Sequence, residues 1–126
     1  MEVKTMKKNY DVAIIGCGTA GIFAGYELIR RHPDLRIVVL EQGGDIYSRH
    51  CPIVAGKVKE CIHCPVCDTM CGFGGAGAFS DGKYNFTTAF GGWLTDFMDD
   101  DEVMKLINYV DTVNICLLYT SPSPRD

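Results

Sequence analysis

Residues 10–41 read YDVAIIGCGTAGIFAGYELIRRHPDLRIVVLE, and their order decides the fold. An apolar run at 12–15 predicts a strand that ends in the glycines Gly16, Gly18 and Gly21. Ile22, Phe23, Tyr26, Leu28 and Ile29 follow at helical spacing, and a second apolar run at 37–40 ends on Glu41. That succession is a βαβ unit bearing a dinucleotide-binding fingerprint. Gly16 permits the tight turn off the strand, Gly18 lets backbone approach a pyrophosphate, and Gly21 lets the helix pack closely on the strands. The helix is expected to start near Thr19, so that the N–H groups of its first turn, Thr19 and Ala20 among them, face the phosphates with the positive end of the helix dipole. Glu41 lies 20 residues after Gly21, the spacing of the acid that accepts a hydrogen bond from a ribose hydroxyl. A βαβ unit that binds nothing would not explain that acid.

The helix is expected to stop at about Arg31, because Pro33 disfavours helical geometry at His32, which should be exposed. Gly25 continues the glycine pattern and keeps the buried helix face small. The second strand, 36–40, is β-branched and apolar enough to be buried on both faces. Gln42, Gly43 and Gly44 follow Glu41 with no adjacent arginine to receive a ribose phosphate, which disfavours NADP at this site.

The chain has 126 residues, of which 47% are apolar, enough for a core. Beyond Leu40, however, no run reads as a further parallel core strand. The fold class expected is therefore α/β, an incomplete doubly wound Rossmann-like dinucleotide-binding domain over 8–115. A net charge of −4 without a Lys/Arg stripe argues against a nucleic-acid partner. Lys4, Lys7 and Lys8 precede an apolar stretch that Gly16 cuts short, so it reads as a strand and not as a signal peptide. No apolar run approaches the roughly 20 residues of a membrane span. The expected compartment is the cytoplasm, where the 7 cysteines would stay reduced.

Residues 46–71 show no sustained period and hold Cys51, Cys61, Cys64, Cys67 and Cys71. CIHCPVCDTMC, starting at Cys61, is a C-x2-C-x2-C-x3-C run, and three thiolates at that spacing can wrap one corner of an iron–sulfur cubane. Cys51, followed by Pro52, is an available fourth ligand. Three readings stand side by side: an iron–sulfur or zinc site on Cys51, Cys61, Cys64 and Cys67; a redox dithiol, Cys67 with Cys71; and unliganded cysteines. His63 could replace a thiolate in a zinc site, although an exposed loop histidine is the simpler expectation.

The glycine-rich loop 72–83 follows. Gly72, Gly74, Gly75, Gly77 and Gly82 put backbone N–H groups where a flat or anionic ligand could approach, and Ser80, Asp81 and Lys83 add a hydroxyl, a carboxylate and a cation. Lys83 is a candidate for stabilising negative charge there. Trp93, in the corner formed by Phe90, Gly91 and Gly92, is expected to be a core aromatic. Asp99, Asp100 and Asp101 read as a helix start ahead of Val103, Leu106, Ile107 and Val110, and not as a metal site.

The fingerprint with its terminal acid resembles the two-dinucleotide-binding-domain flavoproteins. CPIVAGKVKECIHCPVC, GFGGAGAFSDGKYNFTT and FGGWL together look like a group of bacterial and archaeal FAD-dependent dehydrogenases, with GFGGAGAFSDGK the most discriminating part. The resemblance covers about residues 10–114. It implies that Gly16, Gly18, Gly21 and Glu41 hold the ADP half of FAD while the loop from Gly74 to Lys83 lies beside the flavin. It also implies a small-molecule substrate or electron partner, NAD(P)H being one candidate, and a parent several hundred residues long. The chain would then be an N-terminal fragment, inactive alone, of a flavin-dependent oxidoreductase. The alternatives are an NAD-binding dehydrogenase and a cysteine-liganded electron carrier with a structural nucleotide. No catalytic residue can be named. Residues 116–126, CLLYTSPSPRD, read as a non-native tail, matching the in-frame translation of a sequencing-library adapter.

Overall fold

The computed structural model describes residues 9–80, 84–89 and 91–118, which fall in two compact units, Met1–Asp81 and Gly82–Asp126. The first unit opens with β1 (Val12–Ile15), α1 (Thr19–Arg31) and β2 (Ile37–Leu40). The strands are parallel and pair Val12 with Ile37 through Ile15 with Leu40. A helical crossover is what a parallel pair requires. Asp11 and Arg36 fasten the strands just before this ladder: the guanidinium donates to both carboxylate oxygens at 3.0 Å, and the Arg36 amide donates to Oδ2 at 2.9 Å. α1 stops where expected, with the exposed His32 donating its N–H to the Leu28 carbonyl at 2.8 Å. Gly25 is buried, and a Cβ there would stand 3.6 Å from Ile14 Cδ1.

The second strand departs from expectation. Val39 and Leu40 are exposed, not buried on both faces. Among the described residues the sheet has only two strands, so nothing beside α1 contributes a covering layer. Residues 41–74 contain neither helix nor strand, and a short 3-10 helix, Gly75–Phe79, follows.

The second unit is built on α2, Asp100–Leu118. The Glu102 amide donates to Asp99 Oδ1 at 2.8 Å, so Asp99 caps the helix and the acid run serves its start. α2 buries Val103 and Val113, and an apolar groove of about 290 Å³ runs past Phe86, Leu94, Val103, Leu106, Ile107 and Val110. Trp93 is 79% exposed, which corrects its placement as a core aromatic: it precedes a single 3-10 turn, Leu94–Asp96, too short to fold it inward. The helix runs to Leu118, three residues into the tail expected to be foreign. No described helix is long and apolar enough to cross a membrane.

Candidate functional site

β1 ends at Gly16, which takes a left-handed φ of 91° while its N–H donates to the Leu40 carbonyl at 2.7 Å. That turn delivers the chain to α1, whose first residue is Thr19. Gly21 is sterically obligatory: a Cβ there would collide with the Gly16 carbonyl oxygen and lie 3.4 Å from Ile14 Cγ2. Gly18 is a different case. Its φ of −76° suits any residue, and the nearest atom to an added Cβ is Gly75 Cα at 3.9 Å, an ordinary contact. Neither conformation nor the protein's own packing demands glycine there. An added methyl would rest against Gly75 Cα at the start of α1, where the N-cap makes no side-chain hydrogen bond.

Glu41 sits at the junction of three loops. Its Oε2 accepts from the Cys17 amide at 2.6 Å, and its Oε1 accepts from the amides of Gly43 and Gly72, both at 2.9 Å. These hydrogen bonds favour the ionised form and hold the carboxyl below the usual carboxylate range, the Cys17 amide foremost and Gly43 next. A carboxylate offers about four acceptor positions; these three amides fill most of them, and the Gln42 amide also favours the ionised form.

The glycine-rich loop is stitched to the fingerprint turn. Gly74 N–H donates to the Cys17 carbonyl at 2.8 Å and Phe73 N–H to the Gly44 carbonyl at 3.1 Å. A Cβ on Gly75 would meet Gly18 Cα at 3.0 Å, and one on Gly43 would collide with the Gly72 amide nitrogen. A Cβ on Gly77 would stand 3.6 Å from Thr19 Oγ1, an ordinary contact.

Arg49, which the sequence reading passed over, holds this loop from beneath. It is 4% exposed, and its guanidinium donates to four carbonyl oxygens: Asp68 at 2.8 Å, Phe73 and Gly75 at 2.9 Å, and Thr69 at 3.0 Å. The Phe79 ring lies 4.6 Å from its Cζ, a cation–π distance. An isolated arginine among tyrosine, serine and histidine gives no local sign of such a role. The one available signal was its setting, an arginine within a long segment that has no helix or strand to pair its backbone carbonyls.

The structure therefore brings together Gly16, Gly18, Thr19, Gly21, Glu41, Gly74, Gly75 and Gly77, with Ala20 and Gln42 exposed at the edge. Ser80 is exposed, its N–H donating to the Gly77 carbonyl at 3.1 Å. Asp81, Lys83 and Phe90 lie outside the described residues.

Cys51, Cys61, Cys64 and Cys67 line one small pocket of about 30 Å³ with Pro52, Ile53, Val58, Ile62 and Asp68. Among the described residues no three histidine, cysteine or acidic side chains are placed to hold a metal ion, so the iron–sulfur or zinc reading of these thiols finds no support. Residues 58–66 donate no backbone hydrogen bond among the described residues, which leaves that part of the loop without a scaffold to draw thiols around one ion. Cys67 and Cys71 are both free thiols, and Cys71 Sγ instead accepts from Gln42 Nε2 at 3.0 Å. The Cys51 thiol is held below its usual range, chiefly by the Val54 amide, then by the Thr69 hydroxyl and the Ile53 amide.

Comparison with known proteins adds two relatives. The chain is 39% identical over 64 residues to the mitochondrial L-2-hydroxyglutarate dehydrogenase of Dictyostelium discoideum, covering 51% of this chain and 14% of that protein. It is 41% identical over 59 residues to the protein of the same name from Nematostella vectensis, covering 47% and 12% respectively. The matched stretches thus span about one seventh or less of these relatives' length. No family model and no solved structure matches the chain. The cytoplasmic compartment expected from the sequence has no counterpart in these names, both of which are mitochondrial.

Proposed function

We propose that this chain carries the ADP-binding βαβ unit of an FAD-dependent oxidoreductase. The observation that carries the reading is Gly18, a glycine required neither by its backbone angles nor by its neighbours, at a helix start whose N-cap makes no side-chain hydrogen bond. That is the place a pyrophosphate would occupy, with α1 supplying N–H donors and a favourable dipole. Glu41 would accept from a ribose hydroxyl. Gly74, Gly75 and Gly77, held against the fingerprint turn by Arg49, would form the wall beside the flavin. FAD, when bound, supplies the acceptor for a hydride taken from substrate. The relatives' shared name supports a dehydrogenase as the reaction class. Their substrate is not carried over, because the matches cover too little of either protein.

The second reading, an NAD-binding dehydrogenase, uses the same fingerprint. What favours FAD is the glycine-rich loop laid against Gly18, the part of the chain on which the flavoprotein resemblance rests most. Equilibrium dialysis of the folded chain against ADP, FAD and NAD+ tests both. Saturable binding of ADP and FAD, weakened at least tenfold in Gly18→Ala, is expected. Binding of NAD+ without FAD supports the second reading, and a folded chain that binds none of the three overturns both.

A further inference from the structure

We propose that Cys51 and Cys67 form a redox pair that hydrogen peroxide oxidises to a disulfide, with Cys51 as the attacking thiol and Cys67 as the thiol that resolves it. The inference goes beyond the flavin reading and does not rest on it. Both side chains line the same small pocket, and hydrogen bonds tie together the segments that carry them. Arg49 donates to the Asp68 carbonyl at 2.8 Å and to the Thr69 carbonyl at 3.0 Å, and the His50 amide donates to Asp68 Oδ2 at 3.0 Å. The Thr69 hydroxyl closes this series on the Cys51 sulfur itself. Cys51 is thus held beside residues 68 and 69, and Cys67 is the next residue along. Its carbonyl accepts from the Met70 amide at 3.0 Å and from the Cys71 amide at 2.7 Å, which fixes its turn. The other thiols are not held in this way. Cys61 and Cys64 are exposed, on the stretch 58–66 that donates no backbone hydrogen bond among the described residues. Cys71 is engaged by Gln42 and does not line the pocket.

The two roles follow from the donors around Cys51. Residues 51–57 form a turn in which the Ala55 amide donates to the Cys51 carbonyl, Gly56 to Ile53 and Lys57 to Pro52, each at 2.9 Å. The Val54 and Ile53 amides, at the start of that turn, serve the Cys51 sulfur as they would serve a capping oxygen. The Val54 amide, the Thr69 hydroxyl and the Ile53 amide together favour the thiolate, the attacking form, over the opposing effects of burial and of the Asp68 carboxylate. The size of the pocket selects the oxidant. A space of about 30 Å³ holds roughly two water-sized molecules, which suits hydrogen peroxide with its two heavy atoms. Cys51 and Cys67 are both half-buried, open to so small a molecule. The Cys51 thiolate attacks one peroxide oxygen: an S–O bond forms, the O–O bond breaks, and the departing hydroxide takes up a proton to become water. The Cys67 sulfur then attacks the sulfenic sulfur: an S–S bond forms, the S–O bond breaks, and the departing hydroxide takes the Cys67 proton. In sum, two thiols and one hydrogen peroxide give one disulfide and two waters.

The test uses the full chain, reduced, freed of reductant and treated with an equimolar amount of hydrogen peroxide, its fold checked by circular dichroism. Remaining thiols are then alkylated and the peptides mapped by mass spectrometry. A disulfide joining Cys51 to Cys67 within one chain is expected, and dithiothreitol should reverse it. With dimedone present during oxidation, Cys67→Ser should carry the trapped sulfenic acid on Cys51 and leave Cys116 unmodified. Cys51→Ser should lose both products, whereas Cys61→Ser, Cys64→Ser and Cys71→Ser should form the bond as the parent chain does. A folded parent chain that yields no bond between Cys51 and Cys67 overturns the proposal, and so does one that joins Cys51 chiefly to Cys61, Cys64 or Cys71. Dimedone found on another cysteine and not on Cys51 reverses the assigned roles and overturns it too. Thiol oxidation is read without nucleotide, so failure here leaves the flavin reading to its own experiment.

Discussion

At Arg49 a buried cation is satisfied by four carbonyl oxygens and an aromatic face, without a carboxylate among the described residues. Only a planar fork with several donors can reach acceptors from residues 68, 69, 73 and 75 together. Arg49→Met would strand those carbonyls, and a loss of about 3–5 kcal/mol in urea unfolding is expected. Arg49→Lys should fall between, since it keeps the charge but not the fork. The two fingerprint glycines separate in the opposite manner. Gly21→Ala forces a Cβ onto the Gly16 carbonyl and should cost about 1–3 kcal/mol of stability along with binding. Gly18→Ala meets nothing closer than 3.9 Å and should stay within about 1 kcal/mol of the parent chain while nucleotide affinity falls. Equal stability losses in the two variants would remove the argument that Gly18 serves a ligand and not the fold.

Two carboxylates join elements. Arg36 lowers the Asp11 carboxyl to about 2 from an ordinary 3.8, mainly through the side-chain hydrogen bond and then through its amide. Because the folded value is the lower one, the stabilisation is complete above about pH 4 and disappears as pH falls through about 2. Thermal melts of Asp11→Asn should therefore lie below those of the parent chain at neutral pH and merge with them near pH 2. Glu41 is also held low and follows the same sign. Glu41→Gln, with a single acceptor oxygen and an amide that would face backbone N–H groups, cannot accept all three bonds. Faster hydrogen exchange at the Cys17 and Gly72 amides is expected, and unchanged protection would deny Glu41 its joining role. Such joins mark the limit of what the sequence makes legible. β1, α1 and β2 were readable almost to the residue because their periods, glycines and proline act within a turn or two of chain. The candidate site was readable as a fingerprint plus an acid at the right distance. That the acid's oxygens accept from residues 17 and 72, or that Arg49 supports residues 68–75, depends on contacts across 19 to 31 positions, for which no local pattern exists.

On the scale of the whole molecule, the described residues bury few apolar side chains: Cys17, Val103 and Val113. Ile15, at the end of β1, is 78% exposed. So small a core leaves a stability set by loop hydrogen bonds as much as by burial, and such a margin responds strongly to anything that binds the folded state alone. A nucleotide bridging the first turn of α1, Glu41 and the 72–77 loop would further tie together segments now joined by backbone bonds and by the Glu41 carboxylate. At a ligand concentration of 100 times Kd the gain is about 2.7 kcal/mol. The melting temperature should therefore climb with added ADP, and amide protection should increase at Gly16, Gly18 and Gly75 while α2 keeps the exchange it had without ligand. A melting curve indifferent to millimolar ADP, with no change in those amides, would show that the fingerprint turn closes on nothing.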